Sequence, residues 1–344
     1  MPLSRRALLG TTGALAAAIA LSACGSSNGG SGAASSSASA AGTFPVTVEH
    51  KFGSTEVKGP KEGQELKVVA LGWSDGENCL ALGVKPIAVY DWLGFGKDKK
   101  GVGPWAVEKF GDVTPEVMER SDSGIDYELV QSLSPDLILN VNSGYDEKEY
   151  KRLSEIAPTI SGPKDAQNFA PGWDNQTRMI GKALGLEEQG NQLVDDTNAK
   201  IKEVADKHPK FKGVQAVTGS KFGEAYGLSY TGDMRWDLMA DLGFTMYSKA
   251  AAMKPDKGFY ANVSEEQVSV FDAPVAVMFP IGYSLQELKD DKILNSLSVF
   301  KDGRAVLLDP EEDLVQAFSA GNPLSIGLVL DQLPPKLDTA VAKI

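Results

Sequence analysis

The chain has 344 residues, with 46 acidic side chains against 34 basic ones, two cysteines, two histidines and a formal net charge of −12 at pH 7. That balance argues against a nucleic-acid partner, and His50 and His208 alone leave few ways to build a zinc site or a histidine-based catalytic centre. The length is enough for two lobes, each with its own core.

Arg5 and Arg6 precede an almost uncharged apolar run, Ala7 to Leu21, which ends in Leu21-Ser22-Ala23-Cys24. This is the pattern of a lipoprotein signal peptide over residues 1–23, with the Cys24 thiol carrying a diacylglycerol anchor. An ordinary secretory signal with a chance cysteine is the alternative. The apolar run, about 15 residues, falls short of the roughly 20 that span a bilayer. Ser4 to Leu9 partly matches the twin-arginine export motif; this route and unfolded-chain export both deliver the protein to the extracytoplasmic face of the cell membrane. Losing Arg5 and Arg6 takes the net charge to −14, and Cys79, in the apolar stretch Cys79 to Leu82, is expected to be a buried free thiol with no disulfide. Residues 24–43, nearly all Gly, Ser and Ala, form a flexible tether with a reach on the order of 25 Å.

A hairpin over Val46–Val48 and Thr55–Val57, turning at Gly53-Ser54, opens the folded part. Residues 44–172 then alternate strands (Leu66–Leu71, Pro86–Tyr90, Leu137–Val141, Thr159-Ile160) with helices (Asp75–Leu82, Glu128–Leu133, Glu147–Ile156), the pattern of a parallel α/β lobe. Residues 173–210 read as two helices, Asp174–Leu184 and Glu187–His208, the second long enough to cross between lobes. Residues 211–344 form a second α/β lobe, with strands at Val214–Thr218, Val275–Phe279 and Ala305–Leu308 and helices at Trp236–Leu242 and Leu324–Leu333. An internal repeat at an offset of 138 relates Ile125 to Val130 and Leu137 to Val263 to Val268 and Val275.

Gly72-Trp73-Ser74-Asp75-Gly76 fits the nucleophile elbow of a serine hydrolase, but the only histidine after it, His208, lies at a helix end. The plainer interpretation is that Ser74 or Asp75 caps the next helix. The glycines at 94, 96, 101 and 103 lack the spacing of a phosphate-binding fingerprint and suggest a mobile loop. Trp73, Trp92, Tyr145 and Tyr283 follow strand ends, where open α/β sheets bind ligands, and Trp105, Tyr226 and Phe318 lie in connections able to reach the same space. Each ring taken singly is as readily an ordinary packed one. Lys221 and Arg235 are the best-placed cations; Arg235 either clamps an oxygen-rich ligand or pairs with Asp233 or Asp237, whereas Arg120, Arg152, Arg178 and Arg304 read as solvated positions.

Val68 to Asp75, Ser134 to Leu139, Leu153 to Thr159, Ile180 to Gly185, Lys301 to Arg304 and Pro323 to Ser325 with Leu330-Asp331 together resemble the iron–siderophore substrate-binding lipoproteins of ABC importers, over essentially all of residues 44–344. The resemblance implies two Rossmann-like lobes bridged by a single long α-helix, no catalysis and no resident cofactor or metal. It also implies a monomer that passes a ferric siderophore to a membrane permease and its cytoplasmic ATPase for iron transport. One glutamate on each lobe docks onto the permease in that family, and the repeat puts Glu128 and Glu266 there; two solvated helix-start glutamates are the plainer alternative. The arginine-poor, aromatic cleft favours a ferric hydroxamate, with a cobalamin or haem carrier on the same fold as the alternative and a surface serine hydrolase as the remote one.

Overall fold

A computed structural model describes residues 42–119, 124–255 and 258–344. The export signal, Cys24, nearly all of the tether and Arg120 lie outside the described residues.

β1 (Val46–His50) and β2 (Gly53–Val57) form the antiparallel hairpin, but it turns at Lys51-Phe52, with Gly53 paired to His50. Contacts at the tip explain the shift: the Phe52 amide donates to His50 Nδ1 at 3.2 Å, and the Phe52 ring stacks on Tyr150 at 4.7 Å. The first lobe is a five-stranded parallel sheet of β3 (Val68–Ala70), β4 (Ala88–Asp91), β5 (Glu116–Glu119), β6 (Leu137–Asn140) and β7 (Thr159–Ser161). Its order is β5-β4-β3-β6-β7, and the helices α1 (Asp75–Ala81), α2 (Pro104–Val107), α3 (Tyr127–Ser132) and α4 (Glu147–Ser154) lie in its connections. β3 and β6 are buried along their whole length, as apolar strands covered on both faces must be. The chain leaves β3 towards β4 on one side and returns to β6 on the other, which opens a crevice at the carboxyl end of β3.

α5 (Trp173–Ala183) and α6 (Glu187–Lys207) follow. The 21 residues of α6 span about 31 Å, and its buried positions Gly190, Val194, Thr197 and Ile201 face α5 and the C-terminal helix. Gly181 and Gly190 meet where α5 crosses α6: a Cβ on Gly190 would lie 3.1 Å from Gly181 Cα, tighter than ordinary packing.

The second lobe holds β8 (Gln215–Phe222), β9 (Ala225–Ser229), α7 (Met234–Asp241), β10 (Thr245–Met246), α8 (Ser248–Ala251), β11 (Tyr260–Val263) and β12 (Val275–Ile281), then α9 (Leu285–Lys289), α10 (Ser298–Lys301), β13 (Ala305–Leu307), α11 (Asp313–Ala320) and α12 (Pro323–Val341). The sheet order is β11-β9-β8-β12-β13, with β10 beside the start of β8; β8, β10, β12 and β13 are parallel, and β9 and β11 add antiparallel strands that the sequence did not announce. α12 runs past its expected end, through Pro334 and Pro335, because Leu333, Pro334, Leu337 and Ala340 stay buried against the core and outweigh the lost backbone hydrogen bonds.

The repeat is real in three dimensions. Asp126 caps α3 by accepting from the Leu129 amide at 3.0 Å, and 138 residues later Ser264 opens the short helix Glu265–Phe271 with its amide donating to Gln267 Oε1 at 3.3 Å. Leu137 and Val275, at the same offset, begin β6 and β12.

Candidate ligand-binding site

A cavity of about 880 Å³ lies between the lobes, at the carboxyl ends of β3, β4 and β6 on one side and of β12 on the other, with α5, α7 and α11 presenting their ends to it. Its aromatic wall is a three-ring stack: Trp73 lies 4.4 Å from Trp92 at an interplanar angle of 7° and 4.3 Å from Phe169 at 27°. Backbone contacts fix each ring. The Trp73 amide donates to Asn142 O at 2.9 Å, tying the end of β3 to that of β6, and the Phe169 amide donates to Ser143 O at 2.9 Å. Trp92 precedes a loop wound on Asp91, whose carboxylate accepts from the amides of Gly94, Phe95 and Gly96 at 2.9, 2.9 and 2.7 Å. Of the glycines expected to make a mobile loop, Gly94 and Gly96 are thus held by Asp91, Gly101 by the Gly96 carbonyl and Gly103 by Glu77.

Polar groups complete the wall. Gln176 Nε2 donates to Trp73 O and to Asp75 Oδ1, both at 2.7 Å, and Asn140 Nδ2 donates to Glu149 Oε1 at 2.8 Å. Burial pushes the Glu149 carboxyl above its ordinary value. Asp237 accepts from the Gly232 amide with both oxygens at 3.1 Å, and burial pushes it up to about 6. Arg235 sits 5.1 Å from the Phe279 ring, with Nε donating to Asp233 Oδ1 at 2.7 Å and Nη2 to Oδ2 at 2.6 Å. The ion pair with Asp233 is therefore formed on the cavity wall itself.

Of the eight residues expected at the ligand, Trp73, Trp92 and Arg235 line the cavity. The other five lie off its wall. Tyr145 is turned back, its hydroxyl donating to Val141 O at 3.1 Å. The Tyr226 hydroxyl donates to Asp291 Oδ2 at 2.9 Å, that of Tyr283 to Gly223 O at 2.7 Å, and Phe318 is fully enclosed in the core of the second lobe. Trp105 packs edge-on to Phe95 at 5.7 Å. Lys221 pairs with Asp291 away from the cavity. Phe169, Trp173 and Gln176 line it without any sequence signal having placed them there, and Asp237, the alternative partner of Arg235, lines it as well. Trp173 opens a helix whose start the sequence shows, whereas Phe169 lies in an irregular segment at φ 58° and left no local signal.

Ser74 has φ 58° and caps nothing; its buried hydroxyl donates to Ala320 O at 2.8 Å, from the first lobe to the second. Nor does Asp75 cap: its carboxylate accepts from the Val141 amide at 2.8 Å as well as from Gln176. His50 is buried beside Thr55, and His208 Nδ1 meets Asp338 at 2.8 Å, so neither histidine reaches Ser74. Arg178 pairs with Asp195 at 2.9 Å, Arg152 covers the Tyr127 ring, and Arg304 is largely enclosed, donating to the carbonyls of Ala273 and Pro274. Glu128 and Glu266 are exposed in the first turns of their helices. Among the described residues no group of three or more His, Cys, Asp or Glu side chains is arranged to hold a metal ion, and no helix is long and apolar enough to cross a membrane.

Two α/β lobes bridged by one long helix enclose an aromatic cleft, the architecture of two-lobe periplasmic binding proteins. The chain belongs to the periplasmic binding protein family, whose model matches residues 68–312. It is 30% identical over 168 residues to an uncharacterized ABC transporter substrate-binding lipoprotein, YvrC, of Bacillus subtilis, covering 48% of each chain. It is 27% identical over 202 residues to the petrobactin-binding protein YclQ of the same organism, covering 56% of this chain and 57% of that one. The chain thus spans about half the length of the curated relatives it matches. Solved structures are matched over nearly their whole length: a periplasmic solute-binding protein of Mycobacterium smegmatis with TM-score 0.74 and 31% identity, over 86% of this chain and 99% of that one, and Streptococcus pneumoniae PiaA in complex with ferrichrome with TM-score 0.72 and 24% identity, over 87% and 99%.

Proposed function

We propose that the protein is the substrate-binding component of an ABC importer that captures a ferric siderophore, of hydroxamate type, between its lobes. The observation that carries this is the Trp92–Trp73–Phe169 stack facing a cavity of about 880 Å³ on whose wall Arg235 is the one arginine among the described residues. A cavity of that size takes a whole chelate, and flat rings suit the apolar flank of a ligand whose metal is already fully coordinated by its own oxygens. Trp73, Trp92 and Arg235 are the sequence-derived residues that touch the cargo, joined by Phe169. The names of YclQ and of the PiaA complex support the siderophore class. The protein is held at the extracytoplasmic face of the cell membrane by lipid on Cys24, and Glu128 and Glu266 grip the permease, one from each lobe.

Tryptophan fluorescence tests the assignment, because Trp73, Trp92 and Trp173 all line the cavity. Ferric hydroxamates, ferric catecholates, ferric citrate, haem and cobalamin are titrated in turn. Saturable quenching by a ferric hydroxamate is the expected result; no response to any iron chelate, with a response to haem or cobalamin, would replace the cargo and keep the fold.

A further inference from the structure

We infer that Asp233 sets the charge selectivity of the cavity: by engaging the fork of Arg235 it cancels the one arginine that lines the cavity among the described residues, so the site takes ferric complexes of zero or positive net charge and turns anionic ones away. This rests on the siderophore assignment above and narrows it to a charge class.

Five side chains of Asp, Glu, Lys or Arg line the cavity among the described residues: Asp146, Glu149, Asp233, Arg235 and Asp237. Asp146 and Glu149 come from the first lobe and the other three from the second, so carboxylates face the space from both sides. Arg235 is the sole cation among them, and Nε and Nη2, the edge that grips a carboxylate with two parallel bonds, are both given to Asp233. Asp233 is itself buried, and its Oδ1 also accepts from the Arg235 amide at 3.0 Å as the cap of α7. An anionic ligand that took over the fork would strand this buried carboxylate without its counter-charge, a costly exchange. What remains of the guanidinium is Nη1, for which the described residues supply no acceptor; a neutral oxygen, such as a hydroxamate carbonyl, takes one hydrogen bond from it without any need for a net positive field. The pair therefore works as a directional donor with no net charge. Around it, Asp146, Glu149 and Asp237 leave the described part of the wall negative, and repulsion of a polyanion is strong in a partly enclosed, low-dielectric space.

The test uses the full chain and two independent readouts. In the first, iodide, caesium and neutral acrylamide are compared as collisional quenchers of the cavity tryptophans, the cavity part being the difference between the wild type and Trp73→Phe. Caesium quenches this part more efficiently than iodide, each relative to its action on free tryptophan amide. Equal access for the two ions, or an advantage for iodide, overturns the inference, and this holds whether or not any siderophore binds. In the second, affinities for a neutral ferric trihydroxamate and an anionic ferric tricatecholate are compared. The wild type prefers the neutral complex by at least about a hundredfold; Asp233→Asn, which keeps a capping side chain and frees the fork, narrows the preference by about tenfold or more; adding Arg235→Gln removes that gain. A wild type that binds both complexes equally, or an Asp233→Asn protein with an unchanged ratio, refutes the role of Asp233. Failure of every ferric chelate to bind refutes the siderophore assignment instead, and the quencher comparison still decides the charge of the wall.

Discussion

Asn322 Nδ2 donates to Glu77 Oε2 at 2.5 Å, joining α1 of the first lobe to the start of α12 in the second, with both side chains buried. Glu77 Oε1 accepts from the Gly103 amide at 2.9 Å, while Asn322 Oδ1 accepts from the amides of Leu324 and Ser325, both at 3.1 Å. One buried amide thus caps a helix and meets a carboxyl from the opposite lobe. Asn322→Asp keeps the cap but sets two carboxyl groups against each other, with an expected loss of roughly 2–4 kcal/mol. The loss grows with pH as both groups ionise. Thermal unfolding at pH 5 and pH 8 checks this, and an equal shift at the two values would refute it.

The wild type carries its own pH signature at this junction. Burial pushes the Glu77 carboxyl up from 4.5 to about 7, against the pull of the Gly103 amide. The folded state holds this proton more tightly than the unfolded chain does, so the contribution of Glu77 to stability is full below about pH 4.5 and declines as pH rises to about 7. The whole effect is on the order of 3 kcal/mol. Asp75, pushed up from 3.8 to about 6 by burial, acts in the same direction between those values. Urea midpoints across this range, wild type minus Glu77→Gln, give the slope due to Glu77; a slope of the opposite sign would contradict the assignment.

Trp73 is the middle ring of the cavity stack, so Trp73→Ala removes two aromatic contacts worth about 0.5–1.5 kcal/mol each beyond their buried area. Cargo affinity falls at least about tenfold by calorimetry, and the unfolding transition moves down by a few degrees but remains cooperative. Unchanged affinity would show that the stack is structural only.

Charge reversal at Glu128 and Glu266 separates capture from delivery. Both side chains are exposed and neither touches the cavity, so each Glu→Arg variant keeps its stability within about 0.5 kcal/mol and its cargo affinity. Iron uptake by cells carrying the double variant is lost. Normal uptake would leave these glutamates as no more than helix-start charges.

Most of the parallel strands were legible because each is a short apolar run beside a helical pattern; β5, flanked by Glu116 and Glu119, and the two-residue β10 carry no such run and were missed. The offset of 138 was legible because Asp126 and Ser264 open matching segments. β9 was missed although Gly223-Glu224, between the paired residues Phe222 and Ala225, is a two-residue hairpin signal; Gly219 and Ser220 interrupt the apolar pattern of β8 and hide its extension. The cavity was half legible. Position after a strand end is local information, and it located Trp73 and Trp92. The direction in which a ring then turns is decided by packing: Tyr145 and Tyr283 also follow strand ends, yet each hydroxyl finds a backbone carbonyl away from the cavity. Phe169 joins the stack through a non-helical, non-strand segment, where no periodicity exists to be read.

The glycine pair at the crossing of α5 and α6 bears on how the molecule opens. With Gly181 against Gly190, backbone lies on backbone, and no side chain intervenes to slide or change rotamer. The far end of α6 is fastened differently, through His208 and Asp338. The long helix is therefore seated in both lobes, by its first half against α5 and by Ile201, Val204 and Ala205 against the core of the second, so any parting of the lobes has to strain one of these packings and release the Glu77–Asn322 junction.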